Sequence, residues 1–231
     1  MPLRPLPWLR ETRYHTSMIV ESRAVAPFFK NGFVLACEDT LEGVVIDPGD
    51  EIEDLLAVVR ERQLAIKHIL LTHAHVDHVA GIARAREVLG APIHLHRQEL
   101  PVYEAAVQQG LFLGLAIEQP PPVDRYYDAS PIVFGHYQAR VHHTPGHSPG
   151  GVCLEVGRIG EPGVALFSGD TLFNGSIGRT DLPGGDYHAL IRSITEVLFG
   201  FADSLEVHTG HGPATTIGDE RRTNPFLTGR A

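Results

Sequence analysis

From Thr72 to His78 the chain reads Thr-His-Ala-His-Val-Asp-His, which puts His73, His75, Asp77 and His78 within six consecutive positions. Neutral imidazoles and carboxylates in combination suit zinc, iron or manganese. His73 and His75 are two residues apart. On an extended segment that spacing puts both rings on one side, whereas on a helix it would send them nearly opposite ways. A chain that is extended at His73 and His75 and turns at Asp77 and His78 presents two imidazoles, then a carboxylate and a third imidazole. The plainer alternative is a polar loop whose histidines bond to nearby backbone. That suits a lone histidine better than a cluster of this density.

Three later stretches carry the same residue types. Val141 is followed by His142-His143-Thr144-Pro145-Gly146-His147-Ser148-Pro149-Gly150, Phe167 by Ser168-Gly169-Asp170-Thr171, and Val207 by His208-Thr209-Gly210-His211-Gly212-Pro213. Functional side chains just beyond buried strands are typical of layered folds with helices. Glycine beside a ligand lets the backbone turn sharply and leaves room for an ion. The candidate ligands are therefore His73, His75, Asp77, His78, His147, Asp170 and His211. One metal takes three or four protein ligands, so this set suits two metals with one carboxylate shared. His142, His143, His188 and His208 are left to local hydrogen bonding. His94 and His96 share one face of a strand, but no further ligands cluster near them, and a second site there is set aside.

The elements that must position these residues follow from periodicity. Met18-Ile19-Val20, Phe33 to Ala36 and Val44-Val45-Ile46 read as strands with turns at Asn31-Gly32 and Asp39 to Gly43. Asp50 can cap a helix, with Glu53 completing a capping-box-like pair; Ile52, Leu55, Leu56 and Val59 follow the helical pattern. Lys67 to Leu71 reads as a buried strand leading into the histidines. Val79 to Leu89 reads as a helix stopped by Gly90 and Pro92, and Ile93 to His96 as a strand. Gln98 to Gln109 looks helical and ends at Gly110. Leu111 to Ile117 is unusually apolar for a connector; a lid, a homodimer contact and core are the readings, and core is preferred. Strands resume at Ile132-Val133-Phe134, Ala139-Arg140-Val141, Val152 to Val156 and Val164 to Phe167. Asp186 caps a last long helix running to Leu198, with Gly200 ending it, and Leu205-Glu206-Val207 is a short strand. Strands, helices, strands and helices in that order predict two mixed sheets packed face to face with helices outside, an α/β (α+β) architecture.

The 231 residues read as one domain, 1–231, with 1–13 as a loosely held arm. Apolar residues make up 43% and charged residues 20%, so a sizeable core is expected. A net charge of −9 without a basic cluster argues against nucleic acid as a partner. No apolar run reaches membrane-spanning length, and Met1 to Arg10 lacks the apolar stretch of a signal peptide. A cytoplasmic protein is expected. Cys37 and Cys153 lie in separate apolar stretches and are expected to be buried, reduced thiols.

The run Thr72 to His78, with His147, Asp170 and His211, resembles the metallo-β-lactamase superfamily over nearly the whole chain. Phe167 to Phe173 continuing through Gly175-Ser176-Ile177-Gly178-Arg179-Thr180-Asp181, Thr144 to Gly150, and Arg222 to Leu227 resemble more closely the short bacterial glyoxalase II-like hydrolases. The resemblance implies a four-layer αββα sandwich with the site at the edge of the sheets. It implies a first metal on His73, His75 and His147, and a second on Asp77, His78 and His211, with Asp170 bridging. The metals are expected to be two divalent ions, zinc first, with iron or manganese as alternatives. The substrate implied is a small thioester such as S-lactoylglutathione. Ions held this way lower the pKa of a water from about 15.7 toward about 7; Asp77 and Asp170 are the catalytic carboxylates and Arg179 is placed to hold a substrate carboxylate. The chain departs from the longer glyoxalase II enzymes in ending soon after its last ligand, without their glutathione-gripping helical domain. The alternatives are a mononuclear-iron persulfide dioxygenase using His73, His147 and Asp170, and another hydrolase of this fold such as a lactonase.

Overall fold

Strand β2 (Gly32–Cys37) is apolar at every position after its glycine because both of its faces are covered. Phe33, Leu35 and Cys37 point into a core shared with Phe134, Leu154, Val156 and Phe167. Val34 and Ala36 meet Leu55, Val58 and Val59 of helix α1 (Ile52–Glu61) on the other side. The computed structural model describes residues 17–229; the arm expected at 1–13 lies outside them. In one sheet, β1 (Met18–Arg23), β2, β3 (Glu42–Ile46), β4 (Ala65–Leu70), β5 (Ile93–Leu95) and β6 (Arg125–Tyr126) lie side by side in chain order. The second sheet is built from β7 (Ile132–Phe134), β8 (Tyr137–His143), β9 (Val152–Arg158), β10 (Ala165–Gly169), β13 (Glu206–Thr209) and β14 (Thr215–Thr216). Its spatial order is β14-β13-β10-β9-β8-β7, and β11 (Leu172–Phe173) and β12 (Ser176–Ile177) form a separate ribbon.

Helices close the outer faces. Ile52 and Leu56 of α1, with Ile82 and Ala85 of α3 (Ile82–Leu89), bury against Ile69, Ile93 and Leu95. On the other side, Leu190 of α6 (Tyr187–Arg192) and the following Ile194 and Leu198 cover Cys153, Leu166 and Val207. The result is the expected αββα sandwich of two mixed sheets. Both cysteines are buried and free. Among the described residues no helix is long and apolar enough to cross a membrane.

Strand direction decides where the polar loops meet. β3 and β4 are parallel, as are β10 and β13, and β8 runs with β10 because each is antiparallel to β9. All five therefore end at a common edge of their own sheet. The two edges are tied together. Val152 N–H donates to the carbonyl of Thr72 at 2.8 Å, and Asn31 N–H to the carbonyl of Gly210 at 2.7 Å.

Several sequence expectations need correction. The residue preceding α1 is Glu51, not Asp50, and no side chain caps the helix. Glu51 is instead drawn to Lys30 Nζ at 2.5 Å and to Gly49 N–H at 3.0 Å. The helix expected over Val79 to Leu89 is two pieces, α2 (Val76–Val79) and α3, separated around Gly81. A Cβ on Gly81 would strike Ile52, so the backbone there sits against α1. The strand at Ile93 stops at Leu95, before His96. The helical region after Gln98 breaks at Ala105 into α4 (Leu100–Glu104) and α5 (Ala106–Phe112), which runs through Gly110. Leu111, Phe112 and Leu113 are not core: they are 68%, 90% and 51% exposed. The helix capped by Asp186 opens into a wide π-type turn at Ser193–Val197. A short helix that the sequence pattern did not suggest, α7 (Ile217–Thr223), follows with Thr216 as its cap.

His94 is buried on β5 with its Nε2 3.0 Å from Nδ1 of His68 on β4. Burial, then His68 and Arg125, hold its pKa down to about 4, against a weaker pull upward from Asp124. A histidine depressed in the folded state contributes stability fully above the unfolded value near 6.5, and that contribution is lost as pH falls from there toward 4. The effect is on the order of 2 kcal/mol. Urea unfolding at pH 7.5 and pH 5 is expected to show a smaller loss in His94→Gln than in the parent. Equal losses would rule out this pair as a source of acid sensitivity.

Candidate metal centre

β3 ends at Ile46, and Asp47 turns the chain sharply with φ +50°. Its buried carboxylate makes three hydrogen bonds. Oδ1 accepts from Thr72 N–H at 2.7 Å; Oδ2 accepts from the Thr72 hydroxyl at 2.6 Å and faces His78 Nδ1 at 3.0 Å. One side chain thus holds both ends of the stretch Thr72 to His78. The segment leaves β4 extended, with His75 at ψ 151°, and turns into α2 at Val76. That is the extended-then-turned course which two-residue spacing of His73 and His75 demands.

The seven sequence-derived residues come together. Ring nitrogens of His73, His75 and His147 form one group, and ligand atoms of Asp77, His78 and His211 form another. His147 Nε2 lies 3.2 Å from His73 Nε2 and 2.8 Å from His75 Nδ1. Tetrahedral bonds of about 2.0–2.1 Å to nitrogen give ligand separations of about 3.3 Å, so the spacing fits a shared cation. In the second group, His211 Nε2 is 3.1 Å from Asp77 Oδ2. Asp170 stands between the groups. Its Oδ1 faces His78 Nε2 at 3.3 Å, and its Oδ2 lies 3.6 Å from Nε2 of both His147 and His211. A further triad of His73, His78 and Asp170 joins the two groups. The backbone must come close to allow this: a Cβ on Gly210 would fall on Asp170 Oδ1.

Two polar atoms identify what is missing from the hydrogen-bond network. Among the described residues, the buried His78 Nε2 and Asp170 Oδ1, 3.3 Å apart, meet no other hydrogen-bond partner. An unsatisfied buried group costs about 1–3 kcal/mol; a cation between these atoms would satisfy both. The outer ring atoms already have partners. His78 Nδ1 faces Asp47, His147 Nδ1 faces the carbonyl of Arg179 at 2.8 Å, and His73 Nδ1 faces the Thr72 hydroxyl at 3.2 Å. With Nδ1–H donating outward, a neutral ring in this position presents its Nε2 lone pair inward, the arrangement metal-binding histidines use.

Electrostatics sort the same atoms. Burial, followed by His78 and His147, keeps His73 well below the ordinary imidazole range, and burial with His147 brings His75 down to about 4. For Asp77 and Asp170 burial opposes ionisation, but His78 and the other histidines hold both carboxyls below their usual range. Burial likewise opposes charge on His78, yet Asp77, Asp170 and Asp47 lift it to about 10. Carboxylates held in their ionised form beside neutral imidazoles make a donor set suited to positive charge.

The remaining sequence candidates fall outside this cluster. Arg179 is exposed, and its guanidinium forks onto Asp181 at 2.7 and 2.8 Å. His142 bonds Glu155 at 2.9 Å and His143 the carbonyl of Pro149 at 3.1 Å. His208 stacks on Phe167 with ring centres 4.8 Å apart, and His188 lies edge-on to Tyr187. Sequence reasoning missed Asp47, whose signal was the abrupt strand end at Asp47-Pro48-Gly49. It also missed Lys30, a fully buried lysine on the carbonyl of Asp47 whose backbone pairs with His211.

An αββα sandwich with a three-histidine group and an aspartate–two-histidine group at its edge, and Asp170 between them, is the arrangement of a metal-dependent hydrolase. The chain belongs to the metallo-β-lactamase superfamily, whose model matches residues 26–212. It is 34% identical over 206 residues to hydroxyacylglutathione hydrolase GloC of Haemophilus influenzae, covering 88% of this chain and 95% of that protein. The B3 metallo-β-lactamase BLEG-1 superposes with a TM-score of 0.82 at 38% identity, over 91% of this chain and all of that one. TTHA1623, solved in a di-iron-bound form, gives a TM-score of 0.79 at 44% identity, over 90% of this chain and all of that one.

Asp47→Asn keeps the side chain's shape but removes its charge and one acceptor. It is expected to weaken metal binding about 10- to 100-fold, the usual cost of losing an outer partner of a ligating histidine. Dialysis against a chelator followed by elemental analysis measures this. Parental retention of metal would show that Asp47 does not orient His78.

Proposed function

We propose that this protein hydrolyses small thioesters, with S-2-hydroxyacylglutathiones such as S-lactoylglutathione as the leading class. The observation that carries the reading is the pair of triads with Asp170 standing between them, in a chain similar along its length to a hydroxyacylglutathione hydrolase. In this reading His73, His75 and His147 hold one ion, Asp77, His78 and His211 the other, and Asp170 both. Zinc is our first choice, while the di-iron form of TTHA1623 makes iron the main alternative.

Divalent ions in such a site polarise a water for attack and stabilise charge developing on the thioester carbonyl. The chain's own residues supply geometry and exposure. His73, His78 and His147 are buried, which keeps bulk water from reaching the site from behind. His211 is 31% exposed and Asp77 16%, so substrate approaches from their side. Asp77 and Asp170 stay ionised and bring negative charge to the cations. Hydrolysis forms a carbon–oxygen bond from water and breaks the carbon–sulfur bond, and no nucleophilic side chain is required. Arg179 meets a substrate carboxylate by exchanging its present partner, Asp181.

Three measurements test this. Metal-loaded protein is expected to cleave S-lactoylglutathione without taking up oxygen. Oxygen consumption with glutathione persulfide in place of hydrolysis would replace this reading with the dioxygenase one, and cleavage of β-lactams alone would favour the kinship with BLEG-1. Asp170→Ala is expected to lose most activity and part of its metal content, because both triads depend on it; near-parental turnover would defeat the two-ion site. Arg179→Ala is expected to raise KM several-fold for a carboxylate-bearing thioester at unchanged kcat. An unchanged KM would leave Arg179 only its carbonyl contact with His147.

A further inference from the structure

Glu99 ends a short 3-10 turn, Arg97–Glu99, just after β5. Its side chain is fully buried. Oε2 accepts from Ala74 N–H at 3.0 Å, and Oε1 accepts from Gly150 N–H at 2.7 Å. Ala74 lies between His73 and His75, and Gly150 is three residues beyond His147. One carboxylate therefore bonds to both backbone segments that carry the His73, His75 and His147 rings. The contact is shaped to admit it. A Cβ at Gly150 would stand 2.7 Å from His96 Nδ1 and 2.8 Å from Glu99 N, so glycine is what lets this N–H reach the carboxylate.

The charge is as informative as the geometry. A buried carboxylate is normally compensated by a cationic side chain or a metal. Glu99 has two backbone N–H groups, and among the described residues no lysine, arginine or histidine forms an ion pair with it. The rings whose backbone it holds are the three that bring no charge of their own to a bound cation.

We propose that Glu99 is a positioning residue for the first metal site: its carboxylate sets the spacing between the His73-His75 segment and the His147 loop, and lends negative charge behind three neutral imidazoles. This rests on the metal assignment given under Proposed function. The same feature explains why the turn after β5 and the His147 loop, which are distant in sequence, must keep a fixed separation.

The test uses Co2+ as the probe, with the visible spectrum of the loaded protein and competition by a chelator as readouts. Glu99→Gln keeps the side chain's shape but loses its charge and one acceptor. It is expected to release one of two Co2+ ions at least about 10-fold more readily with an altered spectrum. Comparison with His147→Ala and His211→Ala, each lacking one ligand of one triad, identifies the released ion, and it is expected to be that of the first triad. Glu99→Asp keeps the charge on a shorter arm and is expected to recover part of the affinity. Should Glu99→Gln not fold, Glu99→Asp carries the test, with weakened binding of that same ion expected. Parental affinity and spectrum in the folded variant, or loss of the second-triad ion instead, would overturn the proposal. A parent protein that takes up no Co2+, Zn2+ or Fe2+ would overturn the metal assignment as well, which separates the two failures.

Discussion

The structure of the site depends on one carboxylate that need not touch a metal. Asp47 binds the first residue of the Thr72 to His78 stretch through backbone and hydroxyl, and the last through its imidazole. The stretch between is thereby held in two conformations at once, extended at His73 and His75 and helical from Val76. Neither conformation alone would point these side chains at one place. Because Asp47 ends a strand parallel to the one that delivers Thr72, the restraint is transmitted from the core of the first sheet. The second sheet contributes His147, Asp170 and His211 in the same manner, from three strands that finish side by side.

Assembling this many donors has an electrostatic consequence for the fold. The ring of His73 lies 4.0–4.9 Å from those of His75, His78 and His147, and the rings of His75 and His147 are 4.5 Å apart, centre to centre. All of them cannot carry protons together in a buried space. The carboxylates of Asp47, Asp77 and Asp170 concentrate the remaining positive charge on His78. The strands and backbone contacts behind these groups hold them together against their mutual repulsion. A bound cation stabilises only the folded arrangement and so adds to stability by mass action.

The ligands were legible in the sequence because they announce themselves by type: four crowd into six positions, and the others follow apolar runs that could only be strands. The supporting residues were not, since Asp47, Glu99 and Lys30 acquire meaning from partners tens of residues away. The same limit explains the errors in the fold. Asp50 and Glu53 make a plausible cap on paper, but Glu51 is engaged by Lys30 and Gly49 and the helix begins without a side-chain cap. Leu111 to Leu113 reads as core because apolarity is local, while burial depends on what stands opposite. The sandwich itself was readable, since the alternation of strand and helix periods in this order admits few packings.

The chain contains two lysines, Lys30 and Lys67. Lys30 is sealed inside, its ammonium on the carbonyl of Asp47 and the carboxylate of Glu51. Lys67 is 43% exposed, beside Glu42 in the early half of β4, so it lies toward the sheet edge opposite the one where the polar loops gather. Amine-directed coupling to a solid support therefore has, besides the amino terminus, a single anchoring point. A molecule tethered there would stand with its mouth turned outward, away from the surface that holds it.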